Sequence, residues 1–321
     1  MNIKKLIYIL IFVQLSVSAF SNNPADTVQA DTTVPWGFTS LNMLSINQIA
    51  FMNLASGGES SLSAKVSTEY DLTYKKDSFT YEHSGKIAYG LVGYIDKRVE
   101  KTDDLFDFLW SANHEAYKNL HLTGMLTFKS QFANGYKYPD YSTLISTFMA
   151  PGYINLSMGL KIKPNNDFQL YLSPVAGKLT MVLSQELADK GAYGVKKAII
   201  DTAGNIIRNG ENVLSEVGVK VLTTYKTKLM NNIDLRTTLN LYNNYTDYVT
   251  SNRWNIDVDW DTRVVFNINK IFSSILYFHL KYDHNTLISE YEIIDGEKTL
   301  VSQGPRLQLK ESFGLSLSYK I

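Results

Sequence analysis

From Trp36 to the end of the chain, apolar and polar residues alternate with a period of two. In an extended strand, successive side chains point to opposite faces. A segment such as Leu62–Tyr74 therefore has one apolar face (Leu62, Ala64, Val66, Tyr70, Leu72, Tyr74). Its other face is strongly polar (Ser63, Lys65, Ser67, Glu69, Asp71, Lys75). The pattern recurs at Tyr81–Leu91, Phe106–Ala112, Leu120–Phe128, Ile154–Ile162, Phe168–Leu172, Val217–Val221, Ile233–Leu241, Trp254–Ile268, Leu276–Tyr282 and Leu307–Tyr319. A weaker strand near Phe38–Ile46 brings the expected number to about twelve.

The connections carry a second signal. Numbered from the weak strand, those after even strands are tight: 75–78, 117–119, 164–167, 228–232 and 269–270. Those after odd strands are long: 48–61, 94–104, 133–152, 183–214, 243–253 and 283–306. Short turns at one end and long loops at the other are the signature of transmembrane barrels, with the short turns in the periplasm. A soluble sandwich has no reason to sort its loops by parity. Hydrocarbon cannot satisfy an exposed sheet edge, so the strands must close on themselves. The expected fold is thus all-β, a transmembrane antiparallel barrel with lipid-facing apolar rows and a polar lumen. Tyr74, Tyr94, Trp110, Tyr117, Tyr245, Trp254 and Tyr282, near strand ends, suit the aromatic girdles of such barrels. The last strand, Phe313–Ile321, suits barrel assembly.

The N-terminus reads as an address. Lys4 and Lys5 precede a short apolar run, Leu6–Leu15, and Val17-Ser18-Ala19 offers a cleavage site. The run is too short to span a bilayer as a helix. The expected organisation is a signal peptide at 1–19, a flexible periplasmic leader at 20–35 and the barrel at 36–321. An uncleaved anchor is the other reading of the first segment. The chain has no cysteine, which removes lipid anchoring, thiol catalysis and disulfide scaffolding. Lys+Arg 31 balances Asp+Glu 31, so nucleic acid is not an expected partner. The expected partners are outer-membrane lipid and the barrel assembly machinery. The location is the outer membrane of a Gram-negative bacterium.

Several fragments, in order, resemble a family of Bacteroidetes outer-membrane β-barrel proteins of unknown function. They are Trp36, Asn47-Gln48, Asn53, Gly57-Gly58-Glu59-Ser60-Ser61, Tyr89-Gly90-Leu91 and Lys101 with Asp103-Asp104. Ser173-Pro174, Gly177-Lys178, Thr180, Gly191–Val195 and Asn240–Tyr245 complete the set. Leu54 stands where the family pattern has Trp. The resemblance implies location and fold, and supplies no activity.

Six charged residues form the candidate site: Asp257, Asp259, Asp261 and Arg263 on one strand, Asp234 and Arg236 on the preceding one. All fall on the expected lumen face. They fit an ion-selective constriction, a cation site, or a salt-bridge network that fills a narrow lumen; the last is favoured because twelve strands enclose little space. His121 and His279 also face inward, and an outer-membrane lipid hydrolase would need a Ser beside one of them. No catalytic or cofactor motif is visible, so the expectation is a non-enzyme without cofactors. Gly57-Gly58 is not followed by Lys-Ser/Thr and reads as a turn. Pro174 removes a ladder donor and marks a bulge. Residues 183–214 allow a short amphipathic helix and a plug or cap. The function classes left are a small-solute or lipid channel, a structural surface protein, a lipid hydrolase, or a soluble periplasmic β protein.

Overall fold

The computed structural model describes residues 35–49, 60–94, 97–294 and 297–320. The expected signal peptide, nearly all of the leader, Asn53 and the Gly57-Gly58 turn lie outside the described residues. Twelve strands form a closed barrel: β1 (Trp36–Ile49), β2 (Ser61–Lys76), β3 (Phe79–Tyr94), β4 (Glu100–Tyr117), β5 (Leu120–Ser130) and β6 (Gly152–Ile162). They continue as β7 (Phe168–Met181), β8 (Val213–Met230), β9 (Ile233–Asn244), β10 (Asp257–Asn267), β11 (Phe272–Tyr282) and β12 (Gln308–Lys320). Each strand pairs antiparallel with its sequence neighbour, and β12 returns to β1.

The turns obey the expected asymmetry with one exception. At one end the links are Asp77-Ser78, Lys118-Asn119, 163–167, Asn231-Asn232 and 268–271. Asp77 and Asn119 take the left-handed conformation, at φ 52° and 65°, which short polar side chains tolerate. At the other end, 131–151, 182–212, 245–256 and 283–307 are long. The exception is the link from β3 to β4, expected to run from Tyr94 to Asp104. It is only 95–99, because pairing continues through Leu91↔Lys101 and Val92↔Glu100 across a bulge. Lys101 and Asp104 there lie on the exterior wall, and Asp103 between them faces the lumen. Lys101 bonds Asp104 at 2.8 Å, and the Asp104 carboxylate accepts the Phe132 and Ala133 amides, both at 2.8 Å. The segment after β5 thus folds back over this ion pair.

Burial in the wall is inverted relative to a soluble protein. Ser67, Ser111, Thr123, Ser157 and Lys161 are buried on the inner face. Leu62, Leu122, Leu126, Leu156 and Met158 stand exposed outside, the last two at 65% and 64%. Exposed apolar rows running right around a closed sheet need a hydrocarbon solvent, so the barrel is transmembrane. Trp36 packs on Tyr74 near the short-turn end, centroids 4.8 Å apart.

Local irregularities have local causes. At Pro174 the register shifts against both neighbours, β6 and β8. The Ser173 hydroxyl donates within the bulge to the Met158 and Val175 carbonyls. Trp254 was expected on β10 but sits in a 3-10 turn, Thr250–Trp254, and the strand starts at Asp257. On the outer face Tyr70 lies across Gly85, where any Cβ would collide with the ring. Beside it His83 takes an exterior position. Its ring stacks on Trp110 at 4.9 Å and bonds Tyr70 Oη at 2.9 Å and the Leu109 carbonyl at 3.0 Å, so no ring nitrogen is left for lipid to solvate.

Candidate functional site

Among the described residues, charged and titratable groups converge in the lumen. All six candidate residues face into it: Asp234, Arg236, Asp257, Asp259, Asp261 and Arg263 pair in register with inward neighbours on β8, β9 and β11. Their ion-pair partners, however, lie on other walls. Arg263 reaches Glu69 of β2 at 2.5 Å, and Arg236 reaches Asp71 of β2 at 3.9 Å. Asp259 takes Lys129 of β5 at 3.3 Å and His279 at 2.7 Å. Asp257 takes Lys178 of β7 at 3.1 Å, and Lys178 also holds Glu216 at 3.2 Å. Asp234 accepts the Asn267 amide at 2.9 Å. The two arginines therefore do not neutralise the aspartates of their own strands.

These contacts are crossbars. β5 and β10 lie five strands apart around the barrel, as do β2 and β9. Further bars join Lys310 of β12 to Asp103 of β4 at 2.7 Å, and Lys161 of β6 to Glu82 of β3 at 2.6 Å. Around Glu82, the Ser111 hydroxyl and Asn113 amide complete a buried polar cluster with Thr123. A buried charge is tolerable only when paired in this way.

The bars divide the lumen unequally. Toward the short turns lie two spaces of about 920 and 980 Å³, both lined by Asp71, Asn166, Lys226 and Arg236. Toward the long loops lie smaller spaces, about 270 Å³ around Lys129, Lys178 and Asp257 and about 330 Å³ beside Lys65 and Lys310. The long connections also fold over this end. In 182–212 a single helical turn, α1 (Gln185–Asp189), buries Leu187 and Ala188 with Val182, Val195 and Ala150. The helix is shorter than the sequence allowed: Lys196 and Lys197 lie outside it, and Ile199 sits in a small hairpin. Tyr193 donates to the Ile145 carbonyl at 2.7 Å, and its burial pushes the phenol up to about 12. The 283–307 connection reaches into the mouth, where the His284 amide donates to Asp257 and the Asn285 side chain to Glu216.

Of the two lumen histidines, His279 is held by Asp259 and flanked by Tyr277. His121 lines the 920 Å³ space, and its Nδ1 is buried without a hydrogen-bond partner. Among the described residues no serine or threonine hydroxyl is hydrogen-bonded to either ring.

Sequence reasoning placed the six residues on the correct face but missed Glu69, Asp71, Lys129 and Lys178 as their partners. The signal available was their inward parity; the distance across the barrel is not encoded in any local pattern.

Over residues 46–136 the sequence matches a family model described as "Protein of unknown function (DUF3078)". No curated protein matches it. Among solved structures, the translocator domain of autotransporter NalP from Neisseria meningitidis is similar at 9% identity, over 95% of this chain and 92% of that one, with a TM-score of 0.35. An outer membrane channel from Pseudomonas putida F1 is similar at 12% identity, over 94% and 99%, with a TM-score of 0.36. A Pseudomonas aeruginosa FadL homologue is similar at 9% identity, over 88% and 77%, with a TM-score of 0.30.

Proposed function

We propose that the protein is a non-enzymatic outer-membrane barrel of a Gram-negative bacterium, with its short turns in the periplasm and its lumen held shut in the outer half. The membrane reading is carried by one observation, the inverted burial of the wall, with Leu156 and Met158 exposed while Ser157 between them is buried. The leader-like N-terminus and the resemblance to a Bacteroidetes outer-membrane family support that host. The shut lumen follows from the crossbars: an open diffusion pore needs a continuous wet path, and here ion pairs cross the path. The protein then serves as a closed conduit for a small solute or a lipid rather than as a general pore. Its lipid contacts and its insertion by the barrel assembly machinery go with the same reading.

Cell fractionation with unboiled and boiled electrophoresis tests the location. A heat-modifiable band in the outer-membrane fraction is expected, and a soluble band without a mobility shift would refute it. In planar bilayers the purified barrel should give no steady ohmic current; a large permanent conductance would refute the shut lumen.

A further inference from the structure

Among the described residues, the seam where the chain closes on itself has the shortest ladder in the barrel: β1 and β12 pair from Leu41↔Lys320 to Ile46↔Leu315. On their other sides both strands remain paired well beyond that point, β1 with β2 as far as Ile49↔Ser61 and β12 with β11 as far as Lys281↔Gln308. Asn47–Ile49 and Ser312–Gly314 therefore face each other as ordered strand edges with no ladder between them. The last paired rows include a hydroxyl contact between Ser45 and Ser316. Just above, the Asn47 amide lies against Gly314, where a Cβ would collide with it. In hydrocarbon, open strand edges need a polar occupant.

The 330 Å³ space lies at this gap. Its lining includes Lys65, Asp103 and Lys310 from the lumen face, and Ala64 and Phe313 from the lipid face. The lumen side carries surplus positive charge. Asp103 is shared by Lys65 at 3.0 Å and Lys310 at 2.7 Å, and Glu69 by Arg263 at 2.5 Å and Lys86 at 3.5 Å. Four cations thus face three carboxylates on the lumen side, because Asp261 also acts on Lys86. Arg263 Nε is buried without a hydrogen-bond partner. Outside the gap, Ile46, Leu62, Phe313 and Leu315 are exposed.

We propose that the seam is a lateral port in the outer half of the wall for an anionic amphiphile, which rests on the barrel being membrane-embedded as proposed above. The acyl chain stays in the bilayer against Ile46, Leu62, Phe313 and Leu315. The phosphate or carboxylate headgroup enters between β1 and β12 and is held by Lys65, Lys310 and Arg263, which form charge-assisted hydrogen bonds.

The chain has no cysteine, so a disulfide staple can be placed without background. Asn47→Cys with Gly314→Cys closes the gap; Thr224→Cys with Thr238→Cys, register partners on β8 and β9, is the control. The purified full-length barrel in neutral detergent is titrated with pyrene-labelled lysophosphatidylglycerol, lysophosphatidylcholine of the same chain length, and glycerol 3-phosphate as competitor. The anionic lipid should bind at least about ten-fold tighter than the zwitterionic one, and glycerol 3-phosphate should not compete. Oxidising the seam staple should slow association at least about ten-fold, with reversal by reductant, and the control staple should change nothing. Lys65→Met with Asp103→Asn and Lys310→Met, which needs no disulfide, should erase the preference for the anionic lipid. Equal binding of both lipids, or an unchanged rate with the seam stapled, overturns the port. Competition by glycerol 3-phosphate also overturns it, in favour of a soluble anion entering through the lumen. Unboiled mobility is scored on every sample. A wild-type barrel without a shift refutes the membrane reading itself, whereas a normal shift with no staple effect refutes only the port.

Discussion

A lysine placed at Leu156 gives opposite results in the two solvents the wall could face. Leu156 is 65% exposed on the outer face of β6, four residues from Gly152 and six from Ile162. It therefore sits near the middle of the bilayer-crossing span. If the exterior met water, Leu156→Lys would be an ordinary surface change, within about 0.5 kcal/mol of neutral. In a bilayer, Lys at the midplane of a barrel costs about 2–4 kcal/mol. That range lowers the folded-to-unfolded ratio by roughly 30- to 700-fold, since 1.4 kcal/mol is a factor of ten. Ile162→Lys, on the same face at the strand end, should cost about 0–1 kcal/mol because the side chain reaches the interface. Asn155→Lys points into the space around Lys129 and Lys178 and tests lumen crowding separately. The assay is a denaturant titration of refolding into phospholipid vesicles, read by the mobility of unboiled samples. A neutral Leu156→Lys, or equal losses at Leu156 and Ile162, would refute a lipid-facing exterior with this depth.

Three further outcomes are expected. Arg263→Met should destabilise by about 1–3 kcal/mol, since a mostly buried Glu69 then keeps only Lys86, at 3.5 Å, and adding Glu69→Met should restore only part of it; unfolding midpoints in vesicles decide. Replacing Asp257, Asp259 and Asp261 together by Asn should lower that midpoint because His279 loses its carboxylate while Lys129 and Lys178 each lose one and keep only Asp107 and Glu216, without producing cation-selective current in planar bilayers. The Tyr193 phenol ionises near pH 10 when exposed and at about 12 in the folded cap. The cap's stability is therefore full below about pH 10 and lost as pH rises through about 12; limited proteolysis of 182–212 should accelerate over that window, and Tyr193→Phe should flatten the response.

The strand faces were legible because parity is a local property. Val258, Trp260 and Val264 against Asp259, Asp261 and Arg263 need only a period of two. Partners across the lumen were not, because Lys129 and Asp259 meet through strand tilt and barrel closure, neither of which leaves a local trace. The link from β3 to β4 was misread for a related reason. Lys101 and Asp104 look like loop residues, yet they occupy exterior wall because the 131–151 connection shelters their ion pair. His83 breaks parity outright, and only the ring of Trp110 and the hydroxyl of Tyr70 make that position tolerable. The six candidate residues were likewise visible as inward charges, while the reach of four of them to opposing walls was not.

The crossbars also bear on how such a chain is made and how it drifts. Lys129 and Asp259 are 130 residues apart in sequence, and Lys310 and Asp103 are 207 apart. None of these bonds exists until the cylinder is complete, so they reward the finished wall and give nothing to a half-built sheet. Insertion should accordingly behave as all-or-none, with late, long-range contacts setting a slow rate. Among descendants of this chain, a sign change at Lys129 should be found with a compensating change at Asp259 on the far wall, while immediate sequence neighbours vary freely.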